Sequence, residues 1–216
     1  QQNNNIVKTS MLFRGMLDAM DAWATDGTPP PDSRIPKRSD GTLVTAEEWH
    51  HQFPNIPGVN KPRGPNGLPA YDFGPDVAQG YITKQPPDAS NGSYAILVPA
   101  VDTDGNDIAG VRAPMVQAPL GTYTGWNLRA RGQGEGYMHE FTGSYLPLPE
   151  TDAVCRATGD PRRSIEDRYG NSDEYVKSVA AAARRLVDER LMQEEDVERV
   201  IKAATDWGRP LHDVRL

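Results

Sequence analysis

The chain has 216 residues, of which 23 are basic and 30 acidic, giving a formal net charge of -7. This charge and a pI near 5.1 argue against a general affinity for nucleic-acid phosphates. No apolar segment approaches the roughly 20 residues that cross a bilayer, so no membrane span is predicted. A single cysteine, Cys155, excludes an internal disulfide, and its sequence context favours a structural helical position over a nucleophile. The cellular compartment is left open.

The first predicted element is an amphipathic helix over residues 10–26. Apolar side chains recur there at helical spacing. They are Leu12, Phe13, Met16, Leu17, Met20 and Trp23. Gly27 and the prolines after it end the helix, because glycine accepts a left-handed cap and proline cannot continue a helix. No nearby segment matches so large an apolar face, so we expect its cover to lie upstream of Gln1. The Asn-rich start is typical of a surface loop and favours a processed, fragmentary or incomplete chain.

The middle of the chain is rich in proline and glycine and should be rich in turns. An extended connector over 28–44 precedes Thr45 and Glu48, whose spacing predicts a capping box and a helix over about 46–53. Short strands are predicted over 71–73 and 81–83. A β-hairpin is predicted from strands 94–98 and 108–111 around an Asp-Gly turn.

The last part of the chain is predicted to be helical. A short helix over 149–158 ends at Gly159, and Ser164 begins a brief helical turn. A long helix starts at about residue 172, and a final helix covers about 194–207, with a joint at Met192-Gln193. Both carry an apolar stripe, so the two should form an antiparallel helical hairpin.

A search for catalytic motifs finds no Gly-x-Ser-x-Gly elbow, metal-binding His-Glu-x-x-His or phosphate-binding loop. His139 is the histidine to test as a base, although a structural role is favoured for it. His50, His51 and His212 are interpreted as exposed or locally bonded. The glycine-rich stretch 129–136 is interpreted as a flexible surface loop rather than a phosphate site. No catalytic residue, metal or cofactor is assigned.

Two further clusters attract attention. An Asp/Asn-rich turn invites a calcium interpretation but lacks the glutamate at the twelfth position of an EF-hand loop. Its polar residues are Asp102, Asp104, Asn106 and Asp107. The segment 122–129 concentrates aromatic and hydrogen-bonding groups, so it is either a pocket lining or a packed loop in which Trp126 fills the core. The substrate-pocket candidates are Tyr123, Thr124, Trp126, Asn127 and Arg129.

Several stretches along the chain carry a family resemblance. They are 17–36, 40–44, 82–87, 97–102, 104–106, 119–129 and 157–166. Together they resemble, in order, the C-terminal portion of large bacterial proteins with an α/β-hydrolase domain of the esterase type. The resemblance covers about residues 10–207 and implies the family more specifically than the substrate.

The resemblance implies an α+β fragment with three regions. Residues 1–27 would be a loop and the last helix of the hydrolase core, 28–148 a Pro/Gly-rich extension, and 149–216 a helical tail. In α/β-hydrolases the catalytic Ser, acid and His precede the last helix, so all three would lie upstream of residue 1. The expected partners are this upstream catalytic portion, or a companion chain, and a small-molecule ester.

Two alternatives stay open. The first is a non-catalytic binding or structural subunit whose Pro/Gly-rich middle forms an interaction surface. The second is a free-standing metal-dependent enzyme that uses His139 with Asp or Glu ligands.

Overall fold

The computed structural model describes residues 2–64, 67–139 and 141–205, which form a mixed α+β fold with small antiparallel sheets. The helices are α1 Ser10–Asp26, α2 Ala46–Gln52, α3 Pro114–Gln117, α4 Asp152–Thr158, α5 Ile165–Tyr169, α6 Ser172–Asp188 and α7 Glu195–Ala204. The strands are β1 Asn3–Asn4, β2 Leu43–Thr45, β3 Leu97–Pro99, β4 Gly121–Tyr123, β5 Asn127–Leu128, β6 Met138–His139 and β7 Ser144–Pro147. Within these residues no helix is both long and apolar enough to cross a membrane.

Helix α1 spans the predicted residues and ends as predicted. Gly27 adopts a left-handed φ of 70°, and its N–H donates to the Ala22 and Trp23 carbonyls. The buried side of the helix carries Leu12, Gly15 and Ala19. Leu12 joins a core formed with Leu186, Met192 and other residues of the helical tail. The first and last parts of the chain therefore pack together.

The helical tail also follows the sequence pattern. Helices α4 and α5 are capped by the side chains of Thr151 and Ser164, and Gly159 closes α4. Helices α6 and α7 pack on each other through an apolar core. The predicted end of the last helix at Trp207, and His212, lie outside the described residues.

The predicted capping box at the start of α2 is confirmed. Thr45 Oγ1 accepts from the Glu48 N–H at 3.1 Å, and Glu48 Oε2 accepts from the Thr45 N–H at 2.6 Å. At the other end, Lys61 Nζ donates to the carbonyls of His50 and Phe53 at 2.9 and 2.7 Å. Burial lowers the pKa of this ammonium.

The predicted hairpin around Asp104-Gly105 is wrong. Strand β3 instead pairs antiparallel with β2, placing Val44 opposite Val98. The turn is closed by a single bridge between Val101 and Asp107. The Asp102 carboxylate accepts from backbone N–H groups inside the turn, which satisfies donors that a longer ladder would have used.

The strands predicted over 71–73 and 81–83 are also wrong. Asp72 makes only an isolated bridge with Asp88, and the Phe73 carbonyl accepts from Thr83 and Lys84, both at 3.0 Å. Lys84 Nζ donates to the carboxylates of Asp72 and Asp88 at 2.9 and 3.0 Å. Side-chain hydrogen bonds, ion pairs and turns therefore hold residues 72–88 together in place of strand pairing.

A three-stranded sheet in the order β1-β7-β4 was not predicted. It joins the start of the chain to two short strands far away in sequence, with Asn3 opposite Tyr145 and Tyr123 opposite Tyr145 on the other side. A second small pair, β5 with β6, places Asn127 opposite His139. These strands include four buried residues of the candidate segment 122–129, namely Thr122, Tyr123, Asn127 and Leu128.

Candidate functional site

The described residues contain no assembled hydrolytic cluster. Neither His50, His51 nor His139, the histidines in that part of the chain, hydrogen-bonds through its ring to a serine hydroxyl or a carboxylate. No group of His, Cys, Asp and Glu there is arranged to hold a metal ion. Partial burial and neighbouring carboxylates raise the pKa of Cys155, so its thiol is poorly suited to act as a nucleophile.

Two of the three aspartates in the turn over 102–107, Asp102 and Asp104, are paired with arginines. Asp102 contacts Arg112 at 2.9 Å, and Asp104 contacts Arg168 at 2.6 Å. Guanidinium groups therefore already neutralise two of the carboxylates that a calcium ion would need.

Three of the five pocket candidates are buried in the fold. The Tyr123 ring stacks on that of Tyr145 with centroids 5.4 Å apart, and burial raises its pKa well above the ordinary value. Thr124 Oγ1 donates to the Trp126 carbonyl at 2.5 Å and accepts from the Ser144 N–H at 3.0 Å. Asn127 is 1% exposed. These side chains hold the segment in place.

Asn127 clamps the start of the chain. Its Oδ1 accepts from the Gln2 N–H and its Nδ2 donates to the Gln2 carbonyl, both at 3.1 Å. The amide thus imitates a strand partner. Nearby, Asn5 Nδ2 donates to the Thr124 carbonyl at 2.9 Å. The candidate segment therefore binds residues 2–5 through these hydrogen bonds.

Trp126 and Arg129 are the candidates whose side chains reach the surface. Trp126 is half-buried, with its ring 5.9 Å from that of Trp49 and 5.8 Å from that of Phe53. Arg129 is exposed, and its Nε donates to the Met138 carbonyl at 3.2 Å. Trp126 therefore packs on the core, as one expectation for this segment had it, while part of its side chain stays accessible.

The polar contacts that brace β4 are not predictable from the local sequence pattern. Asn106 is fully buried; its Oδ1 accepts from the Tyr123 N–H at 2.7 Å, and its Nδ2 donates to the Gly121 carbonyl at 3.2 Å. The Thr122 hydroxyl donates to the Asp104 carbonyl. The family resemblance includes the stretches 104–106 and 119–129, but it does not indicate that the two contact each other.

Arg162 completes this brace from the other side. It is 3% exposed and pairs with Asp160 at 2.7 Å. Burial alone would raise the pKa of Asp160, but the hydrogen bonds from Arg162 lower it overall. The remaining Arg162 donors reach Thr122 Oγ1 and the carbonyls of Leu146 and Pro147. Arg162 borders a cleft of about 880 Å³, yet all five of its N–H groups are occupied, so its role there is structural.

The large apolar side chains of α1 are exposed. Phe13, Met16, Leu17, Met20 and Trp23 are between 42% and 67% accessible. At 100° per residue, they span an arc of about 120°, whereas the buried positions span about 60°. An amphipathic helix normally buries such an arc, so the exposure of this face within the described residues is unusual.

A family model described as Alpha/beta hydrolase domain matches residues 1–202. Because the match covers most of the chain, the protein belongs to the α/β-hydrolase domain family. Membership confirms the resemblance at the level of the family and indicates hydrolase-type function. Comparison with curated proteins gives no match, and comparison with solved structures gives none.

Proposed function

We propose that this chain is the C-terminal part of a serine-dependent α/β-hydrolase that acts on a carboxylic ester or a related acyl compound. It covers or shapes the substrate cleft, and the Ser-acid-His triad is supplied by a catalytic portion upstream of residue 1 or by a companion chain. The observation that carries the proposal is the exposed face of α1 in a member of the hydrolase family.

The two sides of α1 support this role differently. Its small side already packs, through Gly15, against the chain's own helical tail. Its large side offers five bulky apolar side chains and no charge among them. Burial of such a face stabilises a contact by about 25 cal/mol for each Å² removed from water. A sheet of a hydrolase core would provide a broad apolar surface of this kind.

The segment 123–129 supports the cleft-shaping part of the proposal. Trp126 and Arg129 are its accessible side chains, whereas Tyr123, Thr124 and Asn127 fix the backbone from which they project. An aromatic ring and a guanidinium on a braced segment could orient an acyl substrate. In the complete enzyme, a serine would attack the carbonyl, histidine would carry the proton, and backbone donors would hold the oxyanion.

Fluorophosphonate labelling followed by peptide mapping tests the catalytic part. The 216 residues alone are expected to stay unlabelled and to leave short p-nitrophenyl esters intact, while the complete protein or its companion is labelled at a serine outside this chain. Labelling of a serine within residues 1–216 would contradict the placement of the triad. A complete protein that is neither labelled nor active on acyl substrates would instead favour the binding or structural subunit.

Substitution in α1 tests the docking part. Met20→Asp places a charge in the apolar face and should dissociate the catalytic portion, or abolish activity, in the complete protein. Thr25→Asp is the matched control, because it adds the same charge on the opposite exposed side of α1. Equal effects of the two substitutions would argue against a docking role for this face.

A further inference from the structure

A basic groove lies on a part of the surface that the proposed function does not use. It has a volume of about 550 Å³ and is lined by the connector after α1, the loop before α3 and the end of α6. Its charged residues are Arg34, Lys37, Arg112 and Arg185, with Asp40 and Glu189. The lining carries four cations and two carboxylates, and counting also Asp102, which pairs with Arg112 at 2.9 Å, leaves a local charge of +1 in a chain of net charge -7. A cleft of reversed sign concentrates anions from solution.

Contacts with neighbouring groups hold the arginines of the groove in position. Arg185 donates to Gln117 Oε1 at 3.0 Å, and the Gln117 amide donates in turn to the Arg112 carbonyl at 2.8 Å. Arg34 is fixed at both ends, since its carbonyl accepts from Gly110 at 2.8 Å and its guanidinium pairs with Glu189 at 2.8 Å. Such a preorganised set loses less side-chain entropy when an anion binds.

Part of this positive charge has no carboxylate partner. Within the described ranges, Lys37 and Arg185 make no ion pair, although the Lys37 charge contributes, after the hydrogen bonds from Thr42, to lowering the pKa of Asp40. Arg112 pairs with Asp102, yet its buried Nε–H has no acceptor. A buried donor without an acceptor is unfavourable, so the fold's own groups do not fully satisfy Arg112.

The groove also has an apolar component. Ile35 and Ile108 line it and are 63% and 45% exposed. Exposed branched aliphatic side chains beside cations suit a ligand that has an anionic head and an apolar body. The volume lies in the range of sites for small molecules.

We propose that this basic groove binds a small organic carboxylate, with its head at Lys37, Arg112 and Arg185 and its apolar body on Ile35 and Ile108. Guanidinium groups recognise carboxylates through paired, charge-assisted hydrogen bonds. The site is separate from the α1 face and from the segment 123–129, so it does not depend on the proposed hydrolase activity.

Phenylacetate is the probe, titrated into the isotope-labelled full chain while backbone amide shifts are followed. We expect saturable shifts at Ala109, Gly110 and Gln117 that weaken as salt is raised. Arg185→Gln and Lys37→Gln should each weaken binding by about tenfold, because each removes a charge-assisted contact. Arg184→Gln is the matched control: it makes the same change on α6, next to Arg185 but outside the groove, and should bind normally.

Several results would overturn the proposal. The absence of saturable shifts would do so, as would equal weakening by Arg184→Gln and Arg185→Gln. Equal binding of phenylacetamide would show that the charge is irrelevant. Equal binding of inorganic phosphate would show that the apolar body is irrelevant. Thermal unfolding of each variant ensures that lost binding is not lost folding.

Discussion

Gly15 of α1 and Leu191 of the α6–α7 joint lie backbone against backbone. A Cβ atom at position 15 would come within 2.6 Å of the Leu191 carbonyl carbon and oxygen, and 2.7 Å from the Met192 nitrogen. Only glycine allows this approach without movement of one element. Helix α1 is therefore attached to the tail by its small side, which leaves its large side exposed.

Gly15→Ala is expected to lower the free energy of unfolding by about 1–3 kcal/mol, because the added methyl group overpacks against backbone. Helix propensity alone would act in the opposite direction, by about 1 kcal/mol. Chemical denaturation measures the sign. Gly125→Ala is the control, since a Cβ atom there meets nothing within 4 Å. A higher free energy of unfolding for Gly15→Ala would contradict this, because it would show that α1 can move to accommodate the methyl group without loss of stability.

The pairing of Arg14 with Asp196 predicts a dependence of stability on pH. The hydrogen bond from Arg14 is the main cause that lowers the pKa of Asp196 below its ordinary 3.8, against the opposing effect of burial. A carboxyl group with a lowered folded pKa adds stability above about pH 4, which disappears as the pH falls through that folded pKa. Arg14→Gln should therefore destabilise the protein at pH 7 and progressively less toward pH 2.

Thermal unfolding across this pH range provides the measurement for Arg14→Gln. Lys202→Gln is the control, because it removes an exposed cation that has no ion pair in the described part of α7. A difference between wild type and Arg14→Gln that stays constant with pH would mean that Asp196 does not transmit the effect.

Arg162→Lys should destabilise the fold on the order of 3 kcal/mol, because lysine cannot make the paired contact with buried Asp160 and reach the carbonyls of β7. Arg163→Lys is the neighbouring control. Arg163 is exposed and pairs with Asp167 at 2.7 Å, so its change should be within about 0.5 kcal/mol. Equal losses in urea titrations would remove the special role of Arg162.

Asn127→Ala removes both bonds to the Gln2 backbone. We expect faster amide hydrogen exchange at Asn5, whose N–H donates to the Gly143 carbonyl at 2.9 Å, with little change in α6. The exposed Asn91→Ala is the control. Unchanged exchange at Asn5 would mean that strand pairing alone holds the start of the chain.

Trp126→Ala tests the cleft assignment in the complete enzyme. If the ring contacts the acyl substrate, kcat/KM should fall by about tenfold or more, with a smaller effect on short acetyl esters than on bulky ones. Trp49→Phe serves as a stability control, because Trp49 packs on Trp126 but is buried. If kcat/KM in Trp126→Ala and Trp49→Phe falls only in proportion to the loss of stability, Trp126 has a packing role and does not contact the substrate.

Local patterns carried most of the helical prediction. The ends of α1, the capping box of α2 and the stripes of α6 and α7 depend on residues three or four positions apart, and their chemistry is legible in sequence. Exposure of the α1 face was also expected, since no matching apolar segment was found.

Long-range pairing was the part that sequence could not supply. Strand β1 has only two residues and pairs with β7, more than a hundred positions later in the chain. Strand β3 pairs with β2 and not with the segment 108–111, which is nearer in sequence. The same holds for the brace around β4, where Arg162 reaches Thr122 across 40 positions and Arg168 reaches Asp104 across 64. A single sequence shows such residues as isolated charges.

The pairing of β1 with β7 has a practical consequence for protein production. If a tag or cleavage site displaced Asn3 and Asn4, the Ser144–Tyr145 backbone would lose its neighbour and present free amide and carbonyl groups. Such an open edge recruits extended peptides, including vector-derived linkers and other molecules of the same protein. Designs that keep Asn3 and Asn4 paired with Ser144 and Tyr145 avoid that self-association hazard.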